Sequence, residues 1–233
     1  MDPGQPPGRR VLTLPELHEG ILLRRYKRFL ADVRLDGQVV TAHCANPGRM
    51  TSCMEEGGRV WLSRSSDPRR KLKYSWELSE VGGARIVVNT ARGNQVVKEG
   101  LLDALGGERL ESEVKHGDSR FDFRIDGTRW VEVKSVSLRD HQGCGAFPDA
   151  PTERGRKHLA ELTKIVKEGG DATLLFLICR DDVDTVRPAD EVDPLYGDAL
   201  RGAMDAGVKV VARTLLIDGR RLTLGPEGEV RRR

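Results

Sequence analysis

The segment from Phe121 to Val136 constrains the fold most, because two runs of β-forming residues flank the dipeptide Asp126-Gly127. An Asp-Gly pair between two such runs is a strong signal for a tight β-hairpin. Side chains alternate between the two faces of a strand, so Glu132 and Lys134 are predicted to share one face of the second strand. Asp122 lies on the first strand and can sit across the hairpin from Glu132. The sequence therefore predicts a hairpin that brings two carboxylates and a lysine together.

The chemistry of these three side chains suggests a site for a metal ion. Buried charges are costly unless they are paired or bind an ion. Carboxylates hold a hard cation, and a lysine can steady a phosphate or orient a water. Asp122, Glu132 and Lys134 therefore fit a Mg²⁺ (or Mn²⁺) site for phosphodiester cleavage. The other interpretation is an exposed hairpin face on which Glu132 and Lys134 form an ion pair and Asp122 is solvated. The residue types alone leave both interpretations open.

The composition predicts a soluble, cytoplasmic protein with a basic N-terminal part. The 233 residues are enough for one large domain or two small ones. No run approaches the roughly 18 apolar residues that span a bilayer, and Met1 to Gly8 lack the apolar stretch of a signal peptide. Residues 1–85 hold 15 Lys and Arg against 10 Asp and Glu, whereas the remainder holds 24 against 26. This distribution suggests a polyanion-binding part joined to one with carboxylate chemistry.

Residues 1–83 are predicted to form a small β-barrel that binds nucleic acid. One long strand is predicted from Ile21 to Leu35, and turn signals separate it from shorter strands at Gln38 to His43, Arg59 to Ser63 and Leu72 to Leu78. This spacing favours an oligonucleotide-binding (OB) barrel. Such barrels contact nucleic acid through aromatic and basic side chains. The basic residues predicted to do so are Arg25, Lys27, Arg28, Arg69, Arg70, Lys71 and Lys73. A solvated loop is the other interpretation of the last four.

Residues 84–233 are predicted to form an α/β domain around a mixed sheet. The apolar run from Thr173 to Cys179 is typical of a central strand covered on both faces. A helix is expected from Asn94, as its N-cap, to Leu105. Glu99 on this helix either faces the hairpin as an outer carboxylate or faces water.

A second helix, predicted from Glu153 to Glu168, carries cations in its first turns. Cations at a helix start oppose the helix dipole unless an anion is bound there. A phosphate backbone would resolve this conflict. Arg154, Arg156 and Lys157 are therefore predicted to grip nucleic acid. A third helix is expected at Asp193-Pro194, with Asp as the cap and Pro in the first position.

The carboxylate and lysine pattern, with a helix before it and a basic helix after it, resembles the core of restriction-endonuclease-like nucleases. A wider set of motifs resembles the sugar fermentation stimulation protein A family. These motifs are Arg25-Tyr26-x-Arg28-Phe29, His43-x-x-Asn46-x-Gly48-Arg49-Met50, Asn94-x-x-Val97, Phe121-Asp122-Phe123, Val131-Glu132-Val133-Lys134, and the stretch from Phe147 to Leu159. The resemblance runs over roughly residues 15–217. It implies an OB barrel followed by a nuclease-like domain, and an association with DNA.

The leading hypothesis is a DNA-binding protein whose C-terminal domain is a Mg²⁺-dependent nuclease. Asp122 and Glu132 hold the ion, Lys134 positions water, and Glu153 or Glu99 supplies an outer carboxylate. Phosphate contacts carry no sequence information, so weak specificity and strong salt dependence are expected on single- or double-stranded DNA. The alternative is a DNA-binding or regulatory protein, linked to sugar (maltose) metabolism, that cuts nothing. No membrane partner is expected, and the sequence is compatible with a homo-oligomer.

Overall fold

The hairpin around Asp126-Gly127 is present and forms part of the larger of two sheets. The structure, a computed structural model, describes residues 10–233; the prediction made for Met1 to Gly8 concerns residues outside that range. Asp126 and Gly127 both adopt positive φ, 50° and 71°, as a tight hairpin turn requires. No helix in residues 10–233 is long and apolar enough to cross a membrane.

The N-terminal part is an OB-like barrel, as predicted. A short strand, β1 (Val11–Thr13), precedes it and pairs with the C-terminal sheet. The strands of the barrel sheet are β2 (Leu17–Tyr26), β3 (Leu30–Leu35), β4 (Gln38–Cys44), β5 (Arg59–Arg64), β6 (Tyr74–Val81) and β7 (Ala84–Val87). Their order is β4-β3-β2-β5-β6-β7, and a parallel pairing of β4 with β6 closes β2 to β6 into a barrel. The predicted boundary after residue 83 falls in the turn between β6 and β7.

The single strand predicted from Ile21 to Leu35 is wrong, because the chain reverses direction between β2 and β3. Lys27 and Arg28 form this turn with φ of 47° and 63°. These values are uncommon for residues other than Gly, Asn and Asp, so the sequence carries no ordinary turn signal here. Lys27, Arg28 and Phe29 are all exposed at the tip of the β2–β3 hairpin.

The C-terminal part is built on a mixed ten-stranded sheet. Its strands besides β1 are β8 (Leu110–His116), β9 (Ser119–Ile125), β10 (Arg129–Val136), β11 (Leu138–Arg139), β12 (Gly145–Phe147), β13 (Asp171–Ile178), β14 (Thr185–Pro188), β15 (Lys209–Asp218) and β16 (Arg221–Val230). The order is β11-β12-β14-β16-β15-β13-β10-β9-β8, with β1 added to β16. β10, β13 and β15 are parallel neighbours, whereas β8 to β10 and β15 to β16 are antiparallel.

Both faces of this sheet are covered, which confirms the predicted central strand. The helices are α1 (Thr90–Leu105), α2 (Glu153–Lys167) and α3 (Pro194–Asp205). Leu174, Phe176 and Ile178 of β13 pack into a core with α2 and α3. Leu175 and Leu177 of the same strand pack on the opposite face, in a core with α1 and residues of the barrel.

The helix starts were predicted correctly for α2 and α3 but not for α1. Thr152 caps α2, and Asp193 caps α3 with Pro in its first turn. Asn89, rather than Asn94, caps α1, because its backbone is extended and its side chain accepts from Ala91 N at 3.2 Å. Asn94 therefore lies inside the helix, where its side chain is available for another contact.

Candidate functional site

A cleft of about 410 Å³ opens where the barrel meets the C-terminal sheet. β10 lines it together with the first turns of α1 and α2 and with Ala146 and Phe147 of β12. Two loops complete the walls: residues 46–48 of the barrel, and the loop after β12 that carries Asp149. The barrel loop packs closely on the second loop: Met50 N donates to Asp149 Oδ2 at 3.3 Å, and a Cβ on Gly48 would collide with the Asp149 carboxylate. Both parts of the chain therefore shape this one cleft.

Asp122 enters the cleft because the hairpin opens at its position. β9 and β10 pair only as far as Phe123 and Val131. Beyond that pair, the Asp122 side chain replaces a backbone acceptor, and its Oδ2 accepts from Val133 N at 2.8 Å. Its Oδ1 accepts from the Asn94 amide at 3.1 Å. Burial, followed by the negative charge of Glu132, raises the pKa of Asp122 to about 6.

Glu132 is the most deeply buried member of the predicted cluster, with 4% exposure. Its Oε1 accepts from Lys134 Nζ at 2.6 Å and is also in close contact with Nδ1 of His158. Burial by itself raises the pKa of Glu132. The hydrogen bond from His158 and the charge of Lys134 outweigh it, so the pKa lies below its ordinary value. The alternative interpretation, an exposed ion pair between Glu132 and Lys134, therefore does not hold, because Glu132 is buried.

His158 reaches this cluster from the second turn of α2 and is 4% exposed. An ionised carboxylate can only accept, so the proton of the His158–Glu132 hydrogen bond is on Nδ1. Nε2 is then free to accept, and Arg154 Nε lies 3.5 Å from it. This arrangement holds the imidazole in one tautomer and fixes the direction in which Glu132 points.

Two buried polar atoms in this region have no hydrogen-bond partner among residues 10–233: Oε2 of Glu132 and the hydroxyl of Tyr196. Burial, followed by the negative charge of Glu132, raises the pKa of Tyr196. A buried carboxylate oxygen without a partner is costly, and a bound cation or an ordered water would satisfy it.

The donor set fits Mg²⁺ better than a metal that needs a full cage of protein ligands. Within the described range, no three His, Cys, Asp or Glu side chains are grouped to hold an ion. Mg²⁺ is commonly bound through one or two carboxylates, with waters and phosphate oxygens completing its shell. Asp122 and Glu132 supply two such carboxylates in a cleft that is open to solvent on one side.

The outer carboxylates predicted from the sequence do not join the cluster. Glu153 is exposed at the first position of α2 and does not line the cleft. Glu99 lies further along α1 and is 3.7 Å from Arg10 in an exposed ion pair. Neither position could be decided from periodicity, because both depend on how the helix packs against the sheet.

The basic residues of α2 have different surroundings from one another. Arg154 lines the cleft. Arg156 instead pairs with Asp193 at 2.8 Å and ties α2 to the start of α3. Lys157 is exposed on the helix surface.

Several basic residues of the barrel hold its own loops. Arg25 donates to the carbonyl oxygens of Asn46 and Gly48, both at 2.9 Å, in the loop that lines the cleft. Lys73 donates to the carbonyl oxygens of residues 67 and 68 at 3.2 and 2.9 Å. Arg69 pairs with Asp67 at 3.1 Å, and Arg70 donates to a serine hydroxyl at 3.1 Å. Lys27, Arg28 and Lys71 are exposed.

Sequence reasoning missed three residues that line or support the cleft: His158, Asn94 in its contact with Asp122, and Asp149. The sequence carries a weak signal for His158, because a histidine near the start of the basic helix that follows β10 can reach the side chains of that strand. The contacts of Asp149 with the barrel loop join residues almost 100 positions apart, and no local pattern predicts them.

A closed OB barrel followed by an α/β domain, with Asp122, Glu132 and Lys134 in a shared cleft, defines the class: an OB domain joined to a domain of the restriction-endonuclease type. The chain matches the family model of the SfsA N-terminal OB domain over residues 23–88. It matches the sugar fermentation stimulation protein RE domain over residues 88–221. The chain therefore belongs to the sugar fermentation stimulation protein (SfsA) family.

Relatives in several bacteria are similar over most of their length. A sugar fermentation stimulation protein homologue of Thioalkalivibrio sulfidiphilus is 52% identical over 209 residues, covering 85% of this chain and 88% of the relative. A homologue of Geobacter sulfurreducens is 46% identical over 216 residues, covering 89% and 92%. The structure of Pyrococcus furiosus SfsA in complex with Ca²⁺ superposes with a TM-score of 0.85 at 27% identity, covering 94% of this chain and 98% of that one.

Proposed function

We propose that this protein is a cytoplasmic, Mg²⁺-dependent nuclease that binds DNA without strong sequence preference. The observation that carries the proposal is the convergence of Asp122, Glu132 and Lys134 in one cleft, with an unpartnered buried oxygen on Glu132. The Ca²⁺ bound by SfsA of Pyrococcus furiosus supports a divalent-cation site in this family.

Each residue of the cluster has a separate role in this proposal. Asp122 and Glu132 hold the ion, which lowers the pKa of a bound water and offsets the charge of a phosphate. The Nζ of Lys134 donates hydrogen bonds to the attacking water or to a phosphate oxygen. Asn94 and the backbone N–H of Val133 fix the two oxygens of Asp122 by hydrogen bonds at 3.1 and 2.8 Å.

The DNA backbone would be held by cations on α2 and on the barrel. Arg154 lines the cleft, and Lys157 is exposed on the same helix. Lys27 and Arg28 extend the positive surface on the barrel. Bonds to other groups of the same chain hold Arg25, Arg156 and Lys73. In this proposal these residues support DNA binding by fixing loops and helices. Phosphate contacts of this kind predict binding that weakens steeply as salt increases.

The test is cleavage of single-stranded and double-stranded DNA with Mg²⁺ or Mn²⁺. Wild type is compared with the variants Glu132→Ala and Lys134→Ala, and Glu153→Gln serves as a matched control because Glu153 lies outside the cleft. Metal-dependent cutting by wild type and by the control, with a loss of at least about a hundredfold in both cleft variants, supports the proposal. Absence of metal-dependent cutting, or unchanged cutting by both cleft variants, contradicts it.

A second candidate function is a DNA-binding protein, connected with sugar metabolism, that has a nuclease scaffold and cuts nothing. The observation that favours it is that Oε1 of Glu132 is already held by Lys134 and His158. Calorimetric titration with Mn²⁺ separates the two candidates. Uptake of one ion that is lost in Asp122→Asn favours the nuclease, and no uptake by wild type favours the binding protein.

A further inference from the structure

The tip of the β2–β3 hairpin exposes an aromatic ring directly after two cations in the chain. Phe29 has 44% of its surface exposed and is the only aromatic residue among the large exposed apolar residues of the described range. Lys27 and Arg28 precede it directly and are exposed as well. Phe29 therefore keeps a large part of its apolar ring in contact with water, where another apolar or aromatic group can cover it.

The backbone of this tip is held in a conformation that non-glycine residues rarely adopt. Lys27 and Arg28 have φ of 47° and 63°, and Phe29 N donates to Lys27 O at 2.7 Å, which closes a three-residue γ-turn around Arg28. γ-Turns with positive φ are rare and strained. Strained residues of this kind concentrate where a side chain is presented to a ligand.

The tip lies close to the cleft. Phe29 O accepts from Cys44 N at 2.9 Å, and Pro47, three residues further along the chain, lines the cleft. Three residues span at most about 11 Å, so a strand of nucleic acid in the cleft can reach Phe29 within a few nucleotides. Arg25, at the end of β2, fixes the same loop through its bonds to the carbonyl oxygens of Asn46 and Gly48.

We propose that Phe29 is a stacking platform for an unpaired base, so that the preferred ligand of this protein is a single-stranded nucleic acid. Every base has an apolar face, and stacking on an aromatic side chain with cations on the neighbouring phosphates is the usual way to bind single strands without sequence preference. The bases of a duplex are covered by their neighbours and offer no such face at the tip. The inference rests on the proposed DNA binding and specifies that the preferred ligand is single-stranded rather than double-stranded.

The test is binding of a labelled mixed-sequence oligonucleotide, single-stranded or as a duplex, to the full-length protein in EDTA, so that nothing is cut. Phe29→Leu keeps the apolar volume but removes the ring, and Phe29→Trp keeps a ring. Leu216→Ala is the matched control, since Leu216 is 41% exposed on β15. The expected result is that wild type prefers the single strand. Phe29→Leu should weaken that binding by roughly 5- to 150-fold, with little effect on the duplex.

The remaining variants have defined outcomes as well. Phe29→Trp and Leu216→Ala should bind the single strand as wild type does. Lys27→Ala should lower the affinity for the single strand and for the duplex by the same factor, and should reduce the salt dependence of binding. Equal binding of the two ligands by wild type, or unchanged single-strand binding by Phe29→Leu, overturns the inference while leaving DNA binding intact. If Phe29→Leu changes the self-association of the protein but not its affinity for the single strand, the tip is a contact between copies of the chain. This result also overturns the inference. Wild type that binds neither ligand at low salt removes the proposed function itself.

Discussion

Replacement of His158 tests whether the hydrogen bond to Glu132 positions the metal ligand. In His158→Leu the Oε1 of Glu132 keeps its bond to Lys134 but loses the bond from Nδ1. In His158→Asn the side-chain N–H group lies near the position of Nδ1 and can donate the same bond. The pair therefore separates the hydrogen bond from the mere presence of a buried side chain.

The magnitude follows from the burial of both partners. His158 and Glu132 are each 4% exposed, so the lost hydrogen bond is not replaced by bulk water. A hydrogen bond to a charged group contributes about 1.5–3 kcal/mol, and the loss of an outer partner of a metal ligand typically lowers metal affinity by about 10- to 100-fold. We expect His158→Leu to weaken Mn²⁺ binding within that range and to lower the free energy of unfolding by about 1.5–3 kcal/mol.

The assay is calorimetric titration with Mn²⁺ at neutral pH, accompanied by unfolding in urea. His158→Asn should restore most of the metal affinity that His158→Leu loses. Wild-type affinity in His158→Leu would refute the reasoning, provided that wild type itself binds the ion. Equal losses in both variants would also refute it, because they would assign His158 to packing against Phe121, whose ring centroid lies 5.9 Å away.

Three further predictions concern the surroundings of this site. Because the pKa of Asp122 is raised to about 6 and the ion binds the ionised form, Mn²⁺ affinity should be level above pH 6 and fall about tenfold per pH unit below it in calorimetry. Arg25→Ala should lower the free energy of unfolding in urea by about 1–3 kcal/mol, because the loop loses the bonds that hold it. The opposite result would contradict this role: unchanged stability, with the slope of the logarithm of the DNA-binding constant against the logarithm of the salt concentration smaller in magnitude by about one. Arg156→Met should destabilise the protein without changing that slope. Lys157→Met should make the slope smaller in magnitude and leave the stability unchanged.

Local patterns were sufficient to predict the central hairpin and its charged cluster. The Asp-Gly turn and the alternation of side chains set the face shared by Glu132 and Lys134, and both are properties of neighbouring residues. The buried apolar strand, the start of α2 at Glu153 and the cap Asp193 are local in the same sense. These predictions hold because one residue and its neighbours determine them.

The partners of long side chains could not be predicted in this way. Arg25 and Arg156 are residues of the type that binds phosphate. Arg25 instead donates to the carbonyl oxygens of one loop, and Arg156 pairs with the carboxylate of Asp193. A guanidinium can reach several acceptors, and the choice depends on how remote segments pack. The same holds for Asn94, because two asparagines near the start of α1 have equal capping propensity and only the backbone conformation distinguishes them.

The pairing of β1 with β16 has a consequence for how the molecule can be divided. Val11 to Thr13 lie before the barrel in the chain but are hydrogen-bonded to Thr223 to Arg221, so the barrel is inserted between two segments of one sheet. A fragment that begins at residue 84 would lack its partner for this stretch of β16 and leave Leu222 less covered. The pairing of β1 with β16 thus ties the barrel to the sheet at a second place, and we expect barrel and sheet to melt in a single transition.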